Sequence, residues 1–156
     1  MNNDSPCPFS HSLDYLLSEK IMKIGFNTHI TVNSTKLTEV FHYSRKFTNK
    51  IPYKSCIIKL SIPFTGISGS DKRARILLCL DDEVIADGSM YSSNSLMFNP
   101  LFLQGEIPDL KPGTHSITLK CCVNGGVLYI PYYDNASIES TLQPPIQATL
   151  IVIGQN

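Results

Sequence analysis

The 156-residue sequence contains no tryptophan and has no formal net charge, with thirteen basic and thirteen acidic side chains. Because there is no positive excess, electrostatic binding to nucleic acid is not expected. No apolar run approaches the roughly 20 residues of a membrane-spanning helix, so no membrane insertion is expected either. Met1–Pro8 is polar and lacks a basic segment followed by an apolar one, which predicts no signal peptide.

Cysteine ligand motifs are also missing, although the chain has five cysteines. There is no C-x-x-C pair and no Cys/His spacing typical of zinc. Cys56 and Cys79 lie among apolar residues and are predicted to be buried free thiols. Cys121 and Cys122 are adjacent, so on a strand they would point to opposite faces. Free thiols favour synthesis in a reducing cytoplasm, and no cofactor or metal is predicted.

The patterns of catalytic residues are equally sparse. The four histidines form no tight H-x-H pair, which leaves a cupin-like enzyme as the least supported alternative. No local Ser/His/Asp or Cys/His spacing indicates a nucleophile. The only acidic cluster is Asp81-Asp82-Glu83, which is more typical of a hairpin turn than of a calcium site. We therefore predict a protein that is not an enzyme, with no catalytic residue.

Alternation of apolar and polar residues is the strongest pattern present, and turn residues separate the alternating segments. Lys111-Pro112-Gly113 predicts a tight turn, and Asn124-Gly125 predicts a hairpin. Asn99-Pro100 interrupts one segment, which indicates a kink or an edge strand. Eight to nine short strands with such spacing predict an all-β protein, a jelly-roll-like antiparallel β-sandwich with a short N-terminal helical or extended arm.

The domain organisation follows from where this pattern begins. Residues 12–22 carry leucines and an isoleucine at helical spacing, so they predict a short helix within an N-terminal arm of residues 1–22. Residues 23–156 are predicted to form one β-sandwich domain. Its predicted loops are Thr65–Asp71, Ser92–Ser95 and Asp134–Pro145, and Asp87-Gly88 is predicted as a further turn.

Two segments have little polar surface on either face. Ala148–Ile153 is apolar on both sides, and Val127–Tyr133 is nearly so. Because a sandwich strand needs only one apolar face, a second apolar face must be covered. The arm could cover it, but a homo-oligomer is favoured, since monomers avoid large exposed apolar patches. The predicted interface consists of Val127, Leu128, Tyr129, Ile130, Tyr132, Leu150 and Val152.

Polar candidates for a ligand or partner site are few. Lys72, Arg73 and Arg75 are the only compact basic group, interpreted mainly as protection of an edge strand, with a phosphate or sialic-acid contact as the alternative. His115 begins a predicted strand after Gly113-Thr114 and can bind a ligand or sense pH. The predicted ligand or partner residues are Arg73, Arg75, His115 and Tyr133.

A resemblance extends over about residues 50–154. Arg73–Leu80 is followed by the acidic turn, by Leu110–Lys120 with its Gly-Thr-His sequence, and by the apolar strand Ala148–Gly154. This order resembles jelly-roll domains of viral and phage fibre heads and capsid-associated proteins, which are similar in architecture to trimeric TNF- and C1q-like domains. The resemblance implies a structural virion protein that forms a homotrimer through the sheet of its terminal strands and binds a host-surface receptor. The alternative on the same fold is a lectin-like module that binds a glycan.

Overall fold

The computed structural model describes residues 18–26, 30–93, 96–130 and 148–156. These residues form eleven strands in two antiparallel sheets, together with one short 3-10 helix and no α-helix. The strands are β1 (Ser18–Phe26), β2 (Ile30–Val32), β3 (Thr38–Glu39), β4 (Arg45–Asn49), β5 (Tyr53–Ser68), β6 (Lys72–Leu80), β7 (Glu83–Ser92), β8 (Leu96–Leu110), β9 (Gly113–Val123), β10 (Val127–Ile130) and β11 (Ala148–Gln155). The 3-10 helix is Phe41–Tyr43.

The six-stranded sheet is organised around β5, which is 16 residues long. One edge of β5 pairs with β8 from Tyr53 to Ser68. Its other edge is shared by β11 and β10, and the sheet has the order β1-β11-β5-β10-β2. β8 is an edge strand that contains Pro100 and Pro108, as the Asn99-Pro100 sequence predicted. Proline is tolerated there because an edge strand has an unpaired side.

The five-stranded sheet has the order β3-β9-β6-β7, with β4 also paired to β9. β6 and β7 form a hairpin whose turn residues Asp81 and Asp82 have φ values of 48° and 68°. Aspartate tolerates this left-handed conformation, so the acidic cluster is a turn as predicted. The Lys111-Pro112-Gly113 turn between β8 and β9 is also confirmed.

The core lies between the two sheets and is formed by alternate residues of the strands. On β5, Cys56, Ile58, Leu60 and Ile62 are all at most 2% exposed. The facing sheet contributes inward residues such as Ile76 of β6 and Leu119 of β9. The all-β jelly-roll-like sandwich predicted from the sequence is therefore confirmed, with more strands than the eight to nine expected.

Four local predictions are wrong. Ser18–Met22 forms the start of β1 rather than helix, because pairing with β11 satisfies its backbone and a short helix is marginal alone. Thr65–Ser68 is the end of β5 rather than loop. Asp87 and Gly88 lie within β7 rather than in a turn. Asn124-Gly125 is not a hairpin, because β9 and β10 belong to different sheets.

Candidate functional site

The outer face of the six-stranded sheet carries the second apolar side of the closing strand. Leu150 and Val152 of β11 point inward and are at most 1% exposed. Ile151 and Ile153 alternate with them and are half-buried on the outer face. Ile153 is the cross-strand partner of Ile57 on β5. We call Ile57, Ile151 and Ile153 the apolar strip.

Lysines surround the apolar strip. Ile153 pairs with Lys20 on β1, and Ile151 lies between Lys23 of β1 and Lys59 of β5. All three lysines are exposed. On the opposite side of the strip, Ile57 pairs with the exposed Glu106 of β8. The face therefore has an apolar centre, with two lysines on β1, a third lysine on β5 and an acidic group on β8.

Phe102 extends the apolar character of this face. It lies on β8 opposite Ser61, one row from the apolar strip, and is 67% exposed. Every strand of the described ranges belongs to one of the two sheets, so within those ranges no strand forms a third layer over this face.

The structure divides the predicted interface residues between two environments. Leu128, Ile130, Leu150 and Val152 are at most 1% exposed and belong to the core between the sheets. Val127 and Tyr129 point outward from β10 and are half-buried; Tyr132 lies outside the described residues. The four core residues contact the facing sheet, so a partner would meet their outward neighbours instead.

The outer face of the five-stranded sheet contains a trough of about 600 Å³ whose exposed side chains are mostly polar. Its outward-facing lining comes from β6, β7 and β9 and from the adjoining turns. We call this the polar trough; its side chains include Thr35, Arg73, Arg75, Asp87, Ser89, Cys122 and Asn124. Arg73 and Arg75 are exposed on β6, a strand paired on both edges, so their interpretation as edge-strand protection is wrong.

Neighbouring residues hold both arginines of the trough. Arg75 donates from Nε and Nη2 to the Asp87 carboxylate, with the shortest contact at 2.7 Å. These hydrogen bonds raise the pKa of Arg75 and lower that of Asp87. The Arg73 guanidinium lies 5.5 Å from the centre of the Tyr91 ring. Tyr91 in turn donates its hydroxyl hydrogen to Asp71 at 2.7 Å.

Sequence reasoning identified Arg73 and Arg75 but missed Asp87 and Asn124. The Asn124 side-chain oxygen accepts a 2.7 Å hydrogen bond from the Arg73 backbone N–H. Asp87 could have been found from the hairpin register that starts at the Asp81-Asp82 turn, because Arg75 pairs with Ser89 and Asp87 lies diagonally across from it. A bulge near Leu78 shifts that register by one residue.

His115 lies apart from the trough, at the end of the sheet where two turns meet. Its Nδ1 is 2.7 Å from the Asp81 carboxylate and its Nε2 is 3.0 Å from the Lys111 carbonyl oxygen. The ring stacks on Phe47 with a 5.4 Å centroid distance. His115 therefore joins two turns, and the structure does not bring it together with the arginines. Tyr133 lies outside the described residues.

Two of the buried thiols are poor nucleophiles. Cys56, Cys79 and Cys121 are buried free thiols, as predicted for the first two. Burial raises the pKa of Cys56 to about 11 and that of Cys121 to about 12. A raised pKa leaves these groups protonated and unreactive at neutral pH. Cys122 points to the opposite face from Cys121, as expected for adjacent strand residues, and lines the polar trough.

Within the described ranges, no three His, Cys, Asp or Glu side chains come close enough together to hold a metal ion. Nor does any helix in those ranges have the length and hydropathy needed to cross a membrane.

No protein-family model matches the chain, and no curated protein matches it. Solved structures do. A sugar-binding protein, the EclA C-terminal domain, is 15% identical, with 97% of this chain and 89% of that one covered and a TM-score of 0.41. Eiger TNF from S. frugiperda is 12% identical, with 86% and 90% covered and a TM-score of 0.44.

A carbohydrate-binding module of Cellvibrio mixtus lichenase 5A, solved with cellotriose, is 9% identical, with 88% of this chain and 99% of that one covered and a TM-score of 0.37. Identities of this size and TM-scores below 0.5 assign no function to this chain.

Proposed function

We propose that this chain is a non-enzymatic assembly domain that forms a homotrimer through the outer face of its six-stranded sheet. The observation that carries the proposal is the apolar strip on the closing strand. Ile151 and Ile153 place apolar side chains on the outer side of a strand whose inner side is already buried. Removing apolar surface from water contributes about 25 cal/mol per Å², so covering this strip favours association.

The charges around the strip support a cyclic arrangement. Lys20 and Lys23 lie on the β1 side, whereas the β8 side carries Glu106 together with Lys59 of β5. In a ring of identical subunits, one side of the face on one copy meets the other side on the next copy. Glu106 of one copy can therefore lie opposite Lys20 or Lys23 of the next, beside an apolar centre, an arrangement typical of specific interfaces.

We further propose a virion-associated or fibre-head location for this oligomer, with a receptor-binding role. Its support is the resemblance of residues 50–154 to such heads. Loops on a rigid sandwich commonly carry recognition, and the turn Gly69–Asp71 is of this kind. The location is tested by immunogold labelling of virus-like particles purified from the cells that make this protein. Particles without label would contradict it.

The decisive experiment on assembly is the solution mass of the full chain, measured by size exclusion with light scattering over a range of concentrations. We expect a mass about three times the 17.3 kDa of one chain. Ile153→Asp places a charge in the centre of the strip, and we expect it to give monomers. Lys20 lies beside this position, so the new carboxylate has a partner and the monomer should still fold.

Val84→Asp is the matched control, because Val84 is 55% exposed on β7 of the other sheet. Circular dichroism verifies that both variants fold. We expect Val84→Asp to keep the trimeric mass. A wild-type chain that stays monomeric at every concentration would overturn the proposal, as would an Ile153→Asp variant with the mass of the wild type.

A further inference from the structure

The two arginines of the polar trough are oriented before any ligand arrives. Arg75 uses Nε and Nη2 for Asp87, which leaves its Nη1 group outside this contact. Arg73 stacks on Tyr91, and Asp71 holds that ring through its hydroxyl group. Guanidinium groups match the geometry of carboxylates and other oxyanions, and fixing them beforehand reduces the entropy lost on binding.

The charge balance of the trough selects a ligand with little negative charge. Asp87 neutralises Arg75, whereas Arg73 makes no ion pair with any carboxylate of the described residues. One cation therefore remains uncompensated within the trough. A polyanion such as a nucleic acid requires many phosphate contacts, so this balance fits a single carboxylate better.

The remaining lining favours a ligand rich in hydroxyl groups. Thr35, Ser89 and Asn124 provide hydroxyl and amide groups around the arginines. Asp87 adds a carboxylate that can accept further hydrogen bonds. The apolar lining residues Ala74 and Val123 are at most 2% exposed, so a ligand would meet mainly the polar side chains and their aliphatic stems. Its volume of about 600 Å³ lies in the range of small-molecule sites, roughly 300–1,000 Å³.

We propose that the polar trough binds an acidic saccharide, with Arg73 receiving the sugar carboxylate and Arg75, Ser89 and Asn124 receiving its hydroxyl groups. The site lies on the sheet opposite the apolar strip. Binding is therefore independent of assembly, and a monomeric variant such as Ile153→Asp should retain it.

A titration of the ¹⁵N-labelled full chain, followed by NMR, tests this inference. N-acetylneuraminic acid and glucuronic acid are the acidic probes, glucose is the neutral probe and inorganic phosphate is the simple anion. We expect saturable shifts at the backbone amides of Arg73, Arg75 and Cys122 with either acid and none with glucose. Phosphate should bind more weakly than the sugar acids, because it lacks their hydroxyl pattern.

Variants of exposed cations give the matched comparison. Arg73→Gln keeps the length and polarity of the side chain but removes its charge, and we expect the Kd to rise about tenfold or more. Lys59→Gln removes an exposed charge from the opposite face and should leave the Kd unchanged.

Four results would overturn the inference: no saturable shift with either acid, equal binding of glucose, binding of phosphate as tight as that of the acids, or an unchanged Kd in Arg73→Gln.

Discussion

The two outer faces of the sandwich differ, although the same alternation of residues builds both. The six-stranded sheet presents an isoleucine pair, Ile57 and Ile153, between charged residues that make no ion pair with each other in the described chain. The five-stranded sheet and its turns contain both Lys and Arg ion pairs of the described ranges, Arg75–Asp87 and Lys120–Asp82, and also the hydrogen bond between His115 and Asp81. Paired charges keep the second face stable in water, whereas covering the apolar strip lowers the free energy of the first face.

The largest expected change in the free energy of unfolding comes from a substitution on the inner side of β5, compared with one on its outer side. Ile58 is 0% exposed in the core, and its neighbour Ile57 is half-buried on the apolar strip. We expect Ile58→Ala to lower the free energy of unfolding by about 2–5 kcal/mol, because it leaves a cavity. Ile57→Ala should cost the monomer much less and act mainly on the oligomer mass.

Urea denaturation at low protein concentration, together with light scattering, separates these two effects. Equal losses of stability in Ile58→Ala and Ile57→Ala would show that the outer face of the monomer is as well packed as the core, and the contrast between the faces would fail.

An intermediate loss of stability is expected from overpacking on the inner side of β11. Gly154 faces inward, and a Cβ atom there would lie 2.5 Å from the Tyr53 ring. Tyr53 is also fixed by donating its hydroxyl hydrogen to Glu19 at 2.5 Å, a bond that raises the pKa of Tyr53 to about 12. We expect Gly154→Ala to destabilise the fold by about 1–3 kcal/mol, measured by thermal unfolding.

Combining Gly154→Ala with Tyr53→Leu is the control, because leucine leaves room for the added methyl group. The double variant should lose less stability than the two single variants together. Strict additivity would mean that the Tyr53 ring is not what opposes a side chain at position 154.

The smallest expected effect is on stability and its pH dependence, and it concerns Asp81 in the turn of the five-stranded sheet. Asp81 is partly desolvated, which acts to raise its pKa, but hydrogen bonds from His115 and the Ser116 N–H outweigh this and the pKa is lowered. A lowered folded-state pKa stabilises the fold above the unfolded value, near 3.9, and this contribution is lost as the pH falls through the lower folded value.

Asp81→Asn should therefore reduce stability at neutral pH by at most about 1 kcal/mol, since half of the side chain is exposed, and should weaken the acid dependence. Asparagine also tolerates the left-handed conformation of this turn. Asp82→Asn is the matched control, because its carboxylate is 87% exposed and 3.4 Å from Lys120. The free energy of unfolding is measured between pH 2 and 7. If it changed with pH in the same way in wild type and Asp81→Asn, Asp81 would not be a source of the acid dependence.

The fold could be predicted where a single strand carries its own pattern. Residues 54–62 alternate strictly, and the structure buries the predicted side, Cys56 to Ile62. The Asp81-Asp82 turn is equally local, because its conformation depends on two residues. Alternation, however, shows only that a strand has two faces. It does not show which face the opposite sheet covers, and for this reason Leu150 and Val152 were expected at an interface but lie in the core.

The parts of the fold and of the site that could not be predicted depend on pairing between segments that are distant in the sequence. β6 is central because β9 and β7 pair with it, and nothing near Arg73 in the sequence shows this. The Asn124-Gly125-Gly126 turn looks like a hairpin locally, but β10 joins the other sheet by pairing with β5 and β2. The polar trough combines residues from three strands, so only the adjacent arginines of one strand could be recognised in advance.

The position of β11 has a consequence for the order in which the chain becomes structured during synthesis. β11 lies between β1 and β5 and is the only partner of β1 in the described sheets. An early-synthesised strand therefore remains without its neighbour until about 120 further residues have left the ribosome, at roughly 5–20 residues per second. During that interval β5 is paired with β8 along one edge, but its other edge still lacks β11. Final closure is thus a late event, and a chaperone that shields the waiting strand edges should raise the yield of folded protein.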